Sequence, residues 1–127
     1  MRTQLTILFA SILLMAFTSS NTLDEVIVHL KKGDASQIAV KFDQNVDLTF
    51  PGQSGSYDKE KASLLLKYFF NKNAIRGFEI VHQGNNPQAQ FCIGNLTTRS
   101  GSFRTTIYIK QKGDRFLLQE IRFEPSR

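Results

Sequence analysis

The sequence predicts an α+β domain in which N-terminal helices pack on a curved antiparallel sheet, and three observations carry that expectation. Residues 89–124 read as a meander of three strands, at 90–97, 103–112 and 115–123, broken by Arg99-Ser100-Gly101-Ser102 and by Gly113-Asp114. Those breaks supply the positive φ angles and short polar side chains that tight hairpins need. Residues 59–71 place Ala62, Leu65, Leu66 and Phe69 at i, i+3, i+4 and i+7, the stripe of a helix with one buried face. Helix-capping signals stand upstream, so helices come first and most of the sheet last, the segregation of an α+β domain.

Residues 1–20 are set apart from the fold. Met1-Arg2 is a short positive start, residues 5–17 are apolar apart from Thr6 and Ser11, and Thr18-Ser19-Ser20 offers small residues for cleavage. That is the pattern of a secretory signal peptide. The apolar run is short for a bilayer, and the alternative, an uncleaved leader, is the one route to a membrane that the sequence offers. No cysteine follows the run, which argues against a lipid anchor, so the expected location is secreted or periplasmic. Cleavage after Ser20 leaves residues 21–127 as a single domain of 107 residues, large enough for one core without staples.

Taken in order, Thr22-Leu23-Asp24-Glu25 fits a capping box, and Leu23, Val26, Ile27 and Leu30 follow at helical spacing. Lys31-Lys32 suits the negative end of the helix dipole, and Gly33 is a natural stop. Asp34-Ala35-Ser36-Gln37 repeats the cap and opens a second short helix that carries Ile38, Ala39 and Phe42 inward. Residues 46–50 alternate as a strand with one buried face. Pro51-Gly52 ends it, and residues 53–56 are expected as a polar loop. Asp58 caps the long helix, whose stripe is widened by Leu64, Tyr68 and Phe70, so that helix is expected to be clamped on both sides. Residues 78–83 form the next strand, and Gly84-Asn85-Asn86-Pro87 turns into the meander. The expected order is α-α-β-α-β-β-β-β.

Four segments carry a resemblance to a known family. They are Phe42-Asp43-x-Asn45-Val46-Asp47-Leu48-Thr49-x-Pro51-Gly52, Tyr68-Phe69-Phe70, Gly101-x-Phe103-Arg104, and Leu118-Gln119-Glu120-Ile121-Arg122-Phe123-Glu124. Together they resemble a family of small exported bacterial proteins, the domain of unknown function numbered 4783, over nearly all of the mature chain. The resemblance implies the cone fold of the nuclear-transport-factor-two-like (cystatin-like) superfamily. It brings no activity, because the family has none assigned. Within the superfamily the cone mouth binds ligands in some members and holds acid/base chemistry in others, so the fold alone does not decide function.

Composition narrows the classes. The formal charge is +5, and +4 once Arg2 is removed, but basic residues are interleaved with acids, as in Asp58-Lys59-Glu60-Lys61. A solvated basic surface is expected, not a nucleic-acid stripe. Cys92 is the one cysteine, so no internal disulfide can form, and between Phe91 and Ile93 it reads as a small packed apolar residue. Two histidines, His29 and His82, fall short of a metal set, and no motif links either to Cys92. No nucleophile elbow, phosphate loop or dinucleotide fingerprint is present, and no cofactor is expected. Asn95-Leu96-Thr97 matches a glycosylation sequon by chance, in mid-strand.

Strand alternation divides the sheet into two faces. An apolar concave face is expected to carry Phe78, Ile80, Phe91, Ile93, Phe103, Ile107, Ile109, Leu117, Ile121 and Phe123, with His82, Asn95, Thr105 and Gln119 as its polar members. A few polar groups in an apolar concavity suit a small-ligand pocket, though they can equally satisfy one another. The convex face is expected to carry Arg104, Tyr108, Leu118, Glu120 and Arg122, with Arg104 paired to Glu120 and an apolar share suited to a homodimer. The leading expectation is an exported, non-catalytic binding module for a small apolar or amphipathic ligand or a protein partner. The alternatives are an enzyme using His82 as acid/base, or an assembly module working through the convex face.

Overall fold

The computed structural model describes residues 21–126, so the expected signal peptide lies outside the described residues. The elements run α1 (Thr22–Lys32), α2 (Ala35–Ala39), β1 (Phe42–Phe50), β2 (Gln53–Asp58), α3 (Lys59–Lys72), β3 (Ile75–Asn86), β4 (Ala89–Thr98), β5 (Gly101–Lys112) and β6 (Arg115–Pro125). The strands form one six-stranded sheet in the order β2-β1-β6-β5-β4-β3. Neighbours are antiparallel except β1 and β6, which run parallel, so the sheet is mixed where the sequence predicts an antiparallel one.

The helices start and stop where local chemistry dictates. Asn21, one residue before the expected Thr22, caps α1: its Oδ1 accepts from the Asp24 amide at 2.8 Å. Gly33 ends α1 in the left-handed region at φ 67°. Asp34 and Asp58 cap α2 and α3 in the same way, through the amides of Gln37 and Lys61. From α1, Leu23, Val26, Ile27 and Leu30 are buried. From α3, Ala62, Leu66, Phe69 and Phe70 are buried, but Leu64 and Tyr68 are 62% and 64% exposed. The long helix is therefore covered on one side only, a correction to the expected clamp.

The polar loop expected at 53–56 is a strand. Pro51-Gly52 does not end the sheet there but turns the chain, with Gly52 at φ 81°, and β2 pairs back on β1 from Phe50↔Gln53 to Asn45↔Asp58. Only Tyr57 of β2 is even half-buried, so an edge strand held by its backbone left no apolar alternation to read.

The core lies between the helices and one sheet face, and bulges decide which side chains reach it. On β5 the alternation holds: Phe103, Thr105, Ile107 and Ile109 are buried. On β4 the expected assignment is inverted, for Gln90, Cys92, Gly94, Leu96 and Thr98 face the helices. The deciding residue is Gly94. A Cβ there would lie 2.5 Å from the Phe78 ring and 2.6 Å from the Glu79 carbonyl, so only glycine lets β3 close over β4. On β3 a register shift between Ile80 and His82 sends His82 to the outer face, opposite Ile93. On β6 a second shift puts Leu118 opposite Ile109 and Glu120 opposite Tyr108, so Leu118 turns into the core while Gln119 is the extra residue.

Candidate functional site

Five phenylalanines gather under one end of α3. The Phe69 ring stacks on Phe123 at 4.5 Å between centroids, meets Phe103 edge-on at 5.3 Å and tilts against Phe50 at 5.2 Å. Phe70 closes the cluster against Phe123 at 6.1 Å. Offset and edge-to-face arrangements of this kind suit the ring quadrupoles. Phe69 is buried as the helical stripe predicts, though its ring partners are other phenylalanines from β1, β5 and β6.

Above this cluster the sheet and helix part to leave a cavity of about 550 Å³. Its apolar floor is Phe50, Leu65, Phe69 and Phe103, flanked by Pro51, Tyr68 and Pro125. Its polar rim is Gln53, Lys72, Asn73, Ser100, Ser102 and Ser126. Four segments build it: the second half of α3, the β1–β2 turn, the β4–β5 turn and the end of β6. The volume falls in the range of small-molecule sites, and the lining joins an aromatic floor to a few polar groups.

The rim is held by bonds within and between these segments. The Asn73 backbone amide donates to the Phe69 carbonyl at 2.9 Å, and its Nδ2 donates to the same carbonyl at 3.0 Å. Ser100 Oγ donates to the Lys72 carbonyl at 3.2 Å, tying the β4–β5 turn to the end of α3. Thr98 Oγ1 accepts from the Ser100 amide and donates to the Gly101 carbonyl, which sets the turn itself. The Ser126 amide donates to the Ser102 carbonyl at 3.0 Å, fixing the end of β6. Lys72 Nζ stands 5.7 Å from the Tyr68 ring centroid, a cation–π contact at the entrance.

The four polar residues expected in the concavity are not brought together, and none lines this mouth. His82 lies on the outer face with its ring 5.7 Å from that of Phe91, and Asn95 is exposed on the same face. Both follow from the β3 bulge and the inverted β4. Thr105 is on the helix face, fully buried, its hydroxyl donating to the Phe103 carbonyl at 3.3 Å. Gln119 sits in the β6 bulge, bonded to Asp43. Of the five residues expected on the convex face, Arg104, Tyr108, Glu120 and Arg122 are there, and Leu118 is in the core at 0% exposure. Arg104 stands opposite Glu124, not Glu120, while Arg122 pairs along its own strand with Glu120 at 3.8 Å and Glu124 at 3.5 Å. Periodicity reaches floor residues such as Leu65 and Phe69 but not the rim, because Pro51, Ser100 and Ser126 come from turns and a strand end.

Titratable groups with shifted acidity lie elsewhere. Bonds from Gln119 and then Lys112 lower Asp43 from 3.8 to about 2. Burial pushes the Cys92 thiol from 9.0 up to about 11, the opposite of what a nucleophile needs. Among the described residues no group of three or more His, Cys, Asp or Glu converges to hold a metal, and no helix is long and apolar enough to cross a membrane.

A protein with a cystatin-like fold from Nostoc punctiforme superposes at a TM-score of 0.64 with 11% identity, covering 84% of this chain and 74% of its own, which shows the fold alone. Two solved structures of DUF4783 family proteins are nearer in sequence. That from Bacteroides ovatus is 33% identical at a TM-score of 0.76, covering 81% of this chain and 94% of its own. That from Bacteroides uniformis is 26% identical at 0.81, covering 84% and 99%. The family model described as domain of unknown function DUF4783 matches residues 23–124, and the chain belongs to that family. No curated protein matches the chain.

Proposed function

We propose that this is an exported, non-catalytic binding module that takes one small amphipathic ligand in the mouth between α3 and the two hairpin turns. One observation carries the reading: a cavity of about 550 Å³ with an aromatic floor, a rim of hydroxyls and amides, and one ammonium. Burying an apolar body on Phe50, Phe69 and Phe103 supplies the driving force, at roughly 25 cal/mol per Å² of apolar area removed from water. The polar rim then orients the end that stays near solvent. Among the described residues neither a carboxylate nor a histidine lines the cavity, and its titratable side chains are Lys72 and Tyr68. His82, the candidate of the enzyme alternative, lies on the other side of the sheet.

Native mass spectrometry of the mature protein tests this. A bound small molecule, co-purified or taken up from a panel of fatty and aromatic acids, is the expected result. Gln53→Trp should abolish it, since Gln53 stands opposite Phe50 on the same face and an indole there fills the entrance. A protein that takes up nothing from such a panel, or binds equally well with the mouth filled, overturns the reading.

A further inference from the structure

We infer that the ligand of this mouth carries a single anionic head, a carboxylate on an apolar body, and that Lys72 receives it. The inference rests on the binding reading above and adds the ligand's charge to it. Among the described residues Lys72 is the one charged side chain lining the cavity. Among the described residues it makes no ion pair: the basic partners in the salt bridges are Lys41, Lys112 and Arg122. An ammonium at the rim of an apolar cavity, with no carboxylate of its own, is an open position for an anion.

The end of a helix would ordinarily oppose this, because the carbonyls of its last turn are the negative end of the dipole. Here two of those carbonyls are engaged. The Phe69 carbonyl accepts twice from Asn73, through N and Nδ2, and the Lys72 carbonyl accepts from Ser100 Oγ. Those two acceptors are engaged with donors, and the ammonium lies one turn back from the helix end, over Tyr68. Lys72 is also in the last turn, where a cation suits the dipole without any ligand. Stability therefore cannot test the inference, and only the choice between charged and neutral ligands can.

The probes are decanoate, decanol and methyl decanoate, which share one apolar chain and differ at the head. Their affinities are measured on the mature protein by displacement of an apolar fluorophore from the mouth. Wild type should prefer decanoate over both neutral compounds by roughly five- to tenfold, a single charge-assisted contact at a solvated rim. Lys72→Gln should erase that preference by weakening decanoate more than methyl decanoate, and Lys72→Arg should keep the preference. Added salt should reduce it. Equal binding of all three by wild type, or an undiminished preference in Lys72→Gln, overturns the anionic head while the cavity stands. Failure of all three to bind overturns the cavity reading, and this inference with it.

Discussion

Gln119 Nε2 donates to Asp43 Oδ2 at 2.9 Å, across the parallel seam where β6 meets β1. Gln119 is the residue that both neighbouring strands skip. On one side β5 pairs Tyr108 with Glu120 and Ile109 with Leu118; on the other, β1 pairs Phe42 with Leu118 and Asp47 with Glu120. Its amide also donates to the Leu117 carbonyl at 3.2 Å, and Lys112 reaches the same Asp43 oxygen at 3.0 Å. One bond network thus holds the irregularity that turns Leu118 into the core.

That network sets an acid dependence. Asp43 is lowered to about 2, first by Gln119 and then by Lys112, against 3.8 for an ordinary aspartate. A depressed carboxylate stabilises the fold fully above its unfolded value, and the contribution fades as pH falls from about 4 toward 2. Asp43→Asn should remove about 1–2 kcal/mol at pH 7, since Lys112 is half exposed and screened. It should also flatten the loss of stability between about pH 4 and pH 2 in urea titrations. A variant as acid-sensitive as wild type would contradict the assignment.

Phe69→Ala should cost about 3–5 kcal/mol, the range for a buried phenylalanine. The three rings from β1, β5 and β6 that surround it cannot collapse together into the space it leaves. The denaturant midpoint reads this directly, and a shift of less than about 1 kcal/mol would mean that the cluster is not the core of the domain.

The two faces of the sheet separate by charge insertion. Leu118→Lys should fail to fold, because it puts an ammonium in a fully buried position with no partner. Tyr108→Glu should fold normally, since Tyr108 is 37% exposed on the outer face. Circular dichroism and a soluble-expression assay distinguish them. The reverse pattern would invert the faces.

Cys92 should behave as packing. Its thiol, fully buried and raised to about 11, should resist a thiol-specific reagent at pH 8 in the native protein and react at once when unfolded. A raised acid is bound to its proton in the fold when the unfolded chain has lost it. Stability from this group is therefore complete below the unfolded thiol value and declines as pH rises from 9.0 toward about 11. Rapid native labelling would contradict its burial.

The sequence carried some of this architecture and hid the rest for identifiable reasons. Helices α1 and α3 were legible because caps and stripes are local: Asp58, Ala62, Leu66 and Phe69 define α3 without reference to any other segment. Strand β5 was legible for the same reason. Strand β4 was not, since Phe91 and Ile93 look more apolar than Cys92 and Gly94, and the choice between them rests on the Phe78 ring reaching Gly94 from another strand. Bulges at Ile80/His82 and at Gln119 add one residue to a period of two, and alternation cannot register that. The candidate mouth shares this difficulty in stronger form. Pro51, Lys72, Ser100 and Pro125 are distant in sequence and mark ends and turns, where no period exists.

The most direct test of the binding reading places a reporter at the mouth. The chain has no tryptophan, and Tyr68 lines the entrance with most of its side chain in solvent, so Tyr68→Trp introduces a single fluorophore there without disturbing the core. Titrating decanoate into this variant should shift the emission to shorter wavelength and saturate at one equivalent, as the indole exchanges water for ligand. The same titration after adding Gln53→Trp's non-fluorescent counterpart, Gln53→Leu, should still saturate, because an aliphatic residue leaves the entrance open. An emission spectrum that never moves, or that drifts without saturation, would contradict a binding site in this mouth.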